Sequence, residues 1–406
     1  TGACLKALEG HGHKITGATI TADGKWAVTS SWDRTARLWD MHSKSSQGSG
    51  HQGRVTSLCA REGSDLVVSA GTDGSMLVWN FRQPEPTQAL RDAGQALVLV
   101  GGGETPSLAA AITDSGSMRV CDPCTGDCLQ QVQLDCPEAS CTPRCGSSRP
   151  LLRSLLVAAE DSLASCPAGS GVVEVWAWSR PRRRVAIIAQ LEHQSPVQDL
   201  VLSRNGSVAA TASCGEVFLW EPMSGFLKGV LPPTENQTDP VLGLSKDGRW
   251  LFVSSGNDTV AVWDTYSIAQ EHELLLGRSE DGSPCEGVEG SATAIAVAAD
   301  APVLAVSSTT GKVEVWNFED GSLVHQFLKA VPVTCLAITA SGSHVAAAAA
   351  DARVMLWDAA NGYLTALFVG DAPMKCCAVR ERSPFGGHEL VVAAGDVNGQ
   401  VHLLGR

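Results

Sequence analysis

Two sets of residues in this chain carry side chains of the kind that move protons and attack carbonyls. The first is His11, Thr29 and Asp33; the second is His51, Ser69 and Asp73. A hydroxyl, an imidazole and a carboxylate are the groups of an activated nucleophile, in which the imidazole takes the hydroxyl proton and the acid orients the ring. The spacing is the same in both sets, and each acid is followed at the same interval by a tryptophan, Trp39 and Trp79. A catalytic triad is needed once. A constellation that recurs with fixed spacing is architecture, so the duplication argues for a structural role.

A third set is Cys121, Cys124, Cys128, Cys136, Cys141 and Cys145, six thiols within a short stretch. The CDPC run has the C-x-x-C spacing of a tetrahedral zinc site. Against a metal stand the absence of any His in the cluster and the setting of Cys124 in a DPCTG turn. The expectation is packed thiols and no metal. No phosphate-binding loop, H-E-x-x-H or G-x-S-x-G motif occurs, so the sequence assigns neither a cofactor nor a catalytic residue.

The elements that position the repeated residues are short strands. Gly10 to Asp40 reads GHGHKITGATITADGKWAVTSSWDRTARLWD, three period-2 apolar runs separated by Gly/Asp turns. The pattern returns as GHQGRVTSLCAREGSDLVVSAGTDGSMLVWN, with Gly50 and His51 in the places of Gly10 and His11. Aligned residue by residue, this resembles the WD-repeat family of β-propellers, whose four-stranded blade opens on Gly-His and closes on Trp-Asp. The resemblance implies an all-β fold and two structural tetrads: His11, Thr29, Asp33 and Trp39 in one blade, His51, Ser69, Asp73 and Trp79 in the next. In each, Asp would accept from His and from turn N–H groups, and the hydroxyl would bridge His to the indole N–H.

Third strands are expected to end at Trp39, Trp79, Cys121, Trp176, Trp220, Trp263, Trp316, Trp357 and Leu404, giving about nine blades. The acid before the closing residue survives only at Asp33, Asp73 and Asp351, and His193 keeps the spacing of a blade-opening His. Asp135–Pro150 and Glu271–Gly290 are expected as surface loops between blades. Gly2–Glu9 has the pattern of an outer strand, and the chain stops just after a third strand, so the N-terminal strand is expected to complete the last blade. The expected organisation is one propeller over 1–406. The alternative is a smaller ring plus blades of an adjacent propeller.

Composition fits a globular β protein, with 44% hydrophobic residues and 41 glycines in 406. A net charge of −13 disfavours nucleic acid and anionic membranes and favours a neutral or basic partner surface. The 14 cysteines sit mostly singly in strand-like runs, so they are expected as free thiols in the cytoplasm. The strand-like start at Thr1 suggests a piece of a longer chain.

Trp32 directly precedes Asp33 in a turn, where it is expected to project from the tetrad-bearing face as a binding anchor, or else to pack on a neighbouring loop. His13, Arg34, Thr72 and Arg353 occupy comparable turns and are expected as its polar surround. Arg180, Arg182, Arg183 and Arg184 form a dense basic run, expected to be a solvated turn. The divergent repeats and the C-terminal GDVNGQVHLLGR resemble the propeller at the end of NACHT-type signalling ATPases, which implies a sensor or autoinhibitory module. The function expected is a non-catalytic scaffold binding a protein partner or other domains of the same chain. The alternative is a propeller-fold enzyme with its site at the central channel.

Overall fold

The computed structural model describes residues 4–8, 10–21, 26–40, 46–60, 66–72, 76–80, 83–90, 96–100, 108–112, 117–122, 128–134, 155–179, 184–232, 240–255, 259–276, 292–308, 311–327, 332–382, 389–398 and 400–405. Among them every regular element is a strand, and the strands form nine four-stranded antiparallel sheets. Eight sheets are built from four consecutive strands each. The ninth takes Met374–Arg382, Glu389–Asp396 and Val401–Gly405 from the end of the chain and Cys4–Leu8 from its beginning.

The first strands lie side by side around a ring. In order they are Ile15–Ile20, Val55–Ala60, Ala96–Val100, Leu155–Ala158, Val197–Leu202, Leu242–Leu244, Ala292–Val297, Val333–Ile338 and Met374–Arg382, and the last packs against the first. The nine sheets are therefore the blades of a closed β-propeller. Sheets that radiate from one axis diverge, so the gap between neighbours widens outward and side chains must grow with radius. Second strands accordingly hold small residues, such as Ala109–Ala111 and Ala346–Ala349, whereas the third strands carry Trp39, Trp176, Trp220, Trp263, Trp316 and Trp357.

Both faces of a blade are covered by its neighbours, which explains why second strands such as Leu108–Ile112, Ser162–Cys166 and Ala209–Ser213 are buried throughout and show no polar alternation. Among the described residues separate apolar clusters fill eight of the junctions: Val173, Val175, Leu200 and Trp220 between blades four and five, for example, and Val315, Phe327, Val345 and Trp357 between blades seven and eight. The seam between blades nine and one is built in the same way, from Val391, Ala393 and Val401 against Ile15 and Trp39.

A bulge marks most of the closing residues, although Trp39 of blade one keeps an unbroken register with its fourth strand. The pairing of third and fourth strands slips by one residue at Trp176, Trp220, Trp263, Trp316 and Trp357, so that the fourth strand bends around the large ring. The same slip occurs at Cys121, which occupies the tryptophan position of blade three. It occurs again in blade nine, where Leu404 pairs with Cys4 and Leu403 with Lys6. The N-terminal strand thus fills the fourth-strand place in blade nine, register irregularity included.

One boundary differs from expectation. Glu271–Leu275 is not loop but the end of the fourth strand of blade six, Ala269–Leu275. Its alternation puts Leu274 in the core with Glu271 and Glu273 outside, a period-2 signal that the acidic composition of the stretch had masked. Residues 277–291 and 135–150 lie outside the described residues.

The seam gives a stability prediction. A Cβ on Gly395 of blade nine would come within 2.5 Å of Ile15 Cγ2 and 2.8 Å of Ile15 Cβ in blade one. Gly395→Ala should therefore cost about 1–3 kcal/mol of overpacking in chemical denaturation. Deleting Thr1–Glu9 should go further and yield aggregation or loss of cooperative unfolding, because the outer edge of Val401–Gly405 is left unpaired. A soluble truncation with an unchanged midpoint would show that the two ends act independently.

Candidate functional site

The first tetrad is closed on itself. Trp39 Nε1 donates to Thr29 Oγ1 at 2.7 Å, and Thr29 Oγ1 lies 2.8 Å from His11 Nε2. His11 Nδ1 lies 2.7 Å from Asp33 Oδ2, which also accepts from the Gly12 N–H at 2.8 Å. Thr35 donates both its N–H and its hydroxyl to Asp33 Oδ1, at 2.8 and 2.7 Å. With the indole as donor and Asp33 as acceptor, each group uses its capacity once: indole to hydroxyl, hydroxyl to imidazole, imidazole to carboxylate. Thr29 and Trp39 are fully buried and His11 nearly so. The hydroxyl that could have been a nucleophile is committed at both ends.

Electrostatics agree with this proton order. Burial drives the His11 pKa below its ordinary 6.5 and outweighs the attraction and hydrogen bond of Asp33. Burial pushes Asp33 the other way, but the Thr35 hydroxyl, His11 and the N–H groups of Gly12 and Thr35 together hold its carboxyl below the ordinary 3.8. The pair is therefore a neutral imidazole and a carboxylate at neutral pH.

Other blades keep parts of this network, and the missing member decides what replaces it. In blade two His51 Nε2 is 2.9 Å from Ser69 Oγ; Asp73 and the Trp79 side chain lie outside the described residues. In blade five His193 Nε2 is 2.7 Å from Thr211 Oγ1, to which Trp220 Nε1 donates at 2.9 Å. Cys214 stands where the acid would be, and His193 Nδ1 instead lies 3.0 Å from the Gly171 carbonyl of blade four. A backbone acceptor has taken over the carboxylate's task. Blade four keeps the indole-to-hydroxyl bond, Trp176 Nε1 to Ser165 Oγ at 2.9 Å. In blade seven Val306 occupies the hydroxyl position, and Trp316 Nε1 is buried without a partner. Asp351 of blade eight turns to Arg353, 3.4 Å away.

The cysteine cluster is resolved in part. Cys121 and Cys128 face each other across the third and fourth strands of blade three. Burial and the neighbouring Cys128 thiol push Cys121 up to about 12, so the free thiol is protonated at neutral pH. Cys124, Cys136, Cys141 and Cys145 lie outside the described residues, as do Arg180, Arg182 and Arg183.

Trp32 sits half-buried in its turn, with its N–H bonded to the Lys14 carbonyl. Its ring is a platform for cations: Lys14 Nζ lies 3.2 Å from the ring centroid and the Arg54 guanidinium carbon 4.3 Å, with the His13 ring at 5.5 Å. Arg54 belongs to the loop that opens blade two, so the site bridges two blades. Thr72 Oγ1 accepts from the Arg54 N–H at 2.9 Å, and the Arg54 carbonyl accepts from the Thr72 N–H, which fixes that loop. Arg34 is exposed two residues from Trp32. His13, Arg34 and Thr72 thus join Trp32 in one loop cluster. Arg353 does not, because it lies in blade eight, two blades away around the ring. Lys14 and Arg54 are the members that the sequence reading missed; each sits three residues after a blade-opening His, and that shared spacing was the available signal.

At the opposite end of the blades a cavity of ≈ 500 Å³ is lined by turns of blades four to seven, including Glu160, Lys246, Asp247 and Asp300. Two of its carboxylates are engaged. Asp300 pairs with Lys246 at 2.9 Å, and Asp247 caps its own turn through Ser245 and the Arg249 N–H. Two further buried contacts were not expected: His402 with Asp396 in blade nine, 3.2 Å apart, and Cys335 and Cys377, each thiol against the other's carbonyl.

The family model for the WD domain, G-beta repeat, matches residues 2–40, 44–80, 230–264 and 321–358. Each match begins in or before the fourth strand of one blade and takes in the first three of the next, with a closing aromatic at Trp39, Trp79, Trp263 or Trp357. The β-propeller carries four WD repeats. Among its relatives, WD repeat-containing protein 37 of Xenopus tropicalis is 38% identical over 82 residues, 20% of this chain and 17% of that protein. Target of rapamycin complex subunit wat1 of Schizosaccharomyces pombe is 27% identical over 177 residues, 42% of this chain and 53% of that protein. The chain thus spans only a part of the length of either relative. The crystal structure of Saccharomyces cerevisiae Sqt1 superposes with a TM-score of 0.66 at 13% identity, over 99% of this chain and 98% of that one, and shows the shared fold.

The partial tetrads give predictions of opposite sign. Thr211→Val would strand His193 Nε2 and Trp220 Nε1 and should destabilise the ring by about 1–3 kcal/mol. Val306→Thr would supply the acceptor that Trp316 Nε1 lacks and should stabilise by about 0.5–1.5 kcal/mol. Denaturation midpoints that shift in the same direction would show that the hydroxyl position is not what satisfies the indole. The pH dependence follows from His11 and His193, both lowered chiefly by burial from an ordinary 6.5. Below 6.5 the unfolded chain takes up these protons before the folded one does. Their contribution to stability is therefore complete above 6.5 and is lost as pH falls toward the folded values, at up to ~1.4 kcal/mol per pH unit for each His. Denaturation midpoints at successive pH values should fall less steeply for His193→Gln than for the unaltered chain.

Proposed function

We propose that this chain is a single rigid interaction ring, a non-catalytic protein scaffold that works in the cytoplasm as a sensor or autoinhibitory module of a larger signalling protein. One observation carries the reading. The described His, hydroxyl and Asp groups with the types for catalysis are buried and bonded to one another, while the exposed rim between blades one and two gathers Trp32, Lys14, Arg34 and Arg54 at loops fixed by the blades beneath them. Rigid scaffolds with side chains displayed on loops favour recognition. Assembly into complexes is supported by the wat1 relative, named as a subunit of one. The partner is a protein or another domain of the same polypeptide, and neither a cofactor nor a metal enters the function. The chain's net charge supports a protein over nucleic acid or an anionic membrane. Among the described residues no helix is long and apolar enough to cross a membrane.

Capture from cell extract on the immobilised ring, followed by cross-linking mass spectrometry, tests this. Proteins retained by the unaltered ring should be lost or strongly reduced with Trp32→Ala, and cross-links should involve Lys14. Equal recovery by both rings, or cross-links confined to Lys246 at the opposite end of the blades, would overturn the assignment of the contact face.

A further inference from the structure

We propose that the rim between blades one and two binds a short acidic segment of a protein partner, with its carboxylates seated on Lys14, Arg54 and Arg34. The inference rests on that rim being the interaction face and adds the chemistry of what it takes. Lys14 and Arg54 come from different blades, yet both lie on the Trp32 ring. The ring's negative face offsets part of their mutual repulsion, and an anion placed between them would remove the rest.

The local charge is opposite in sign to that of the chain. The sequence holds 43 acidic residues against 30 Lys and Arg. Several cations elsewhere are paired with acids, Lys246 with Asp300, Arg204 with Glu160, Arg249 with Asp264 and Arg353 with Asp351, while among the described residues others such as Lys375 stand alone and are not gathered with further cations on one ring. Among the described residues none of Lys14, Arg34 and Arg54 is paired with a carboxylate. The positions are also held. The Lys14 carbonyl accepts from the Trp32 N–H, Arg54 is tied to Thr72, and the Arg34 carbonyl accepts from the His51 N–H, which joins Arg34 to the loop that carries Arg54. Arg34 itself has a φ of 75°, a conformation in which glycine would fit without strain, so a cation is kept there at a conformational cost.

Three cations in one loop cluster match two or three carboxylates. A long polyanion that extends beyond the rim meets the net −13 of the ring, which favours a short acidic peptide over nucleic acid. Each carboxylate can accept charge-assisted hydrogen bonds from a guanidinium or ammonium, bonds stronger than those it makes with neutral donors.

Calorimetric titration of the full 406-residue chain with tetraglutamate, at low salt, tests the proposal. Tetraglutamate should bind and tetraglutamine should not. Arg54→Gln should weaken binding by roughly tenfold, and Lys14→Gln with Arg54→Gln together by more, while Lys246→Gln at the opposite end should leave it unchanged. All variants alter exposed or half-buried side chains, and equal denaturation midpoints confirm that the ring is intact. No binding of tetraglutamate, or binding unaffected by Arg54→Gln, would overturn the proposal. So would Arg54-dependent binding of an oligonucleotide or of phosphatidylserine vesicles in place of the peptide. If Trp32→Ala abolishes capture of a partner but tetraglutamate does not bind, the rim remains an interaction face and only its acidic ligand is excluded.

Discussion

Each blade of this protein has two apolar faces and no means of covering them itself, so its sheets are stable only between neighbours, and the row must close. The seam between blades nine and one meets that requirement twice. Its apolar cluster joins Ile15 and Trp39 to Val391, Ala393 and Val401, and its last sheet borrows Cys4–Leu8 as a fourth strand. Closure therefore ties the chain's beginning to its end through hydrogen bonds as well as burial. The radial gradient of side-chain size follows from the same geometry, with alanine where the sheets converge and tryptophan where they diverge.

Placing an indole at the wide end of the gap creates a second requirement, because its N–H is taken out of water. The blades meet it in graded ways. Blade one uses a hydroxyl, an imidazole and a carboxylate in series; blade five substitutes the Gly171 carbonyl of its neighbour for the carboxylate; blade four stops at the hydroxyl; blade seven leaves the Trp316 N–H unpaired. A buried polar atom without a partner costs on the order of 1–3 kcal/mol, which a ring with so many apolar junctions can absorb at Trp316 and again at Trp178. The groups that resemble catalytic machinery are thus the solution to a packing problem.

A ring held in this way presents its loops with little freedom. The turn bearing Trp32 is pinned from below by Asp33, and the facing loop by Thr72, so the indole and its two cations keep a fixed arrangement across the junction of two blades. Net charge, summed over the whole chain, favoured a neutral or basic partner surface. The local field at this rim has the other sign. Total charge governs long-range approach, but contact chemistry is set within a few ångströms by the side chains that a loop displays.

The sequence by itself determined the repeat, the strand pattern, the closing positions including Cys121 and Leu404, the clasp, and the first tetrad, because these are encoded in spacings within one blade and in period-2 alternation along one strand. It also placed Trp32 in the turn before Asp33 but left open whether the ring projects or packs on a neighbouring loop. Only the tertiary structure decided what lies across a junction: Arg54 of blade two on Trp32 of blade one, the Gly171 carbonyl of blade four under His193 of blade five, and the exclusion of Arg353 from the rim cluster. It decided the Cys335–Cys377 contact between blades eight and nine as well. The reason is physical. Contacts within a blade are fixed by local register, whereas contacts between blades depend on the angle and height at which two sheets meet, and that is set by closure of the whole ring.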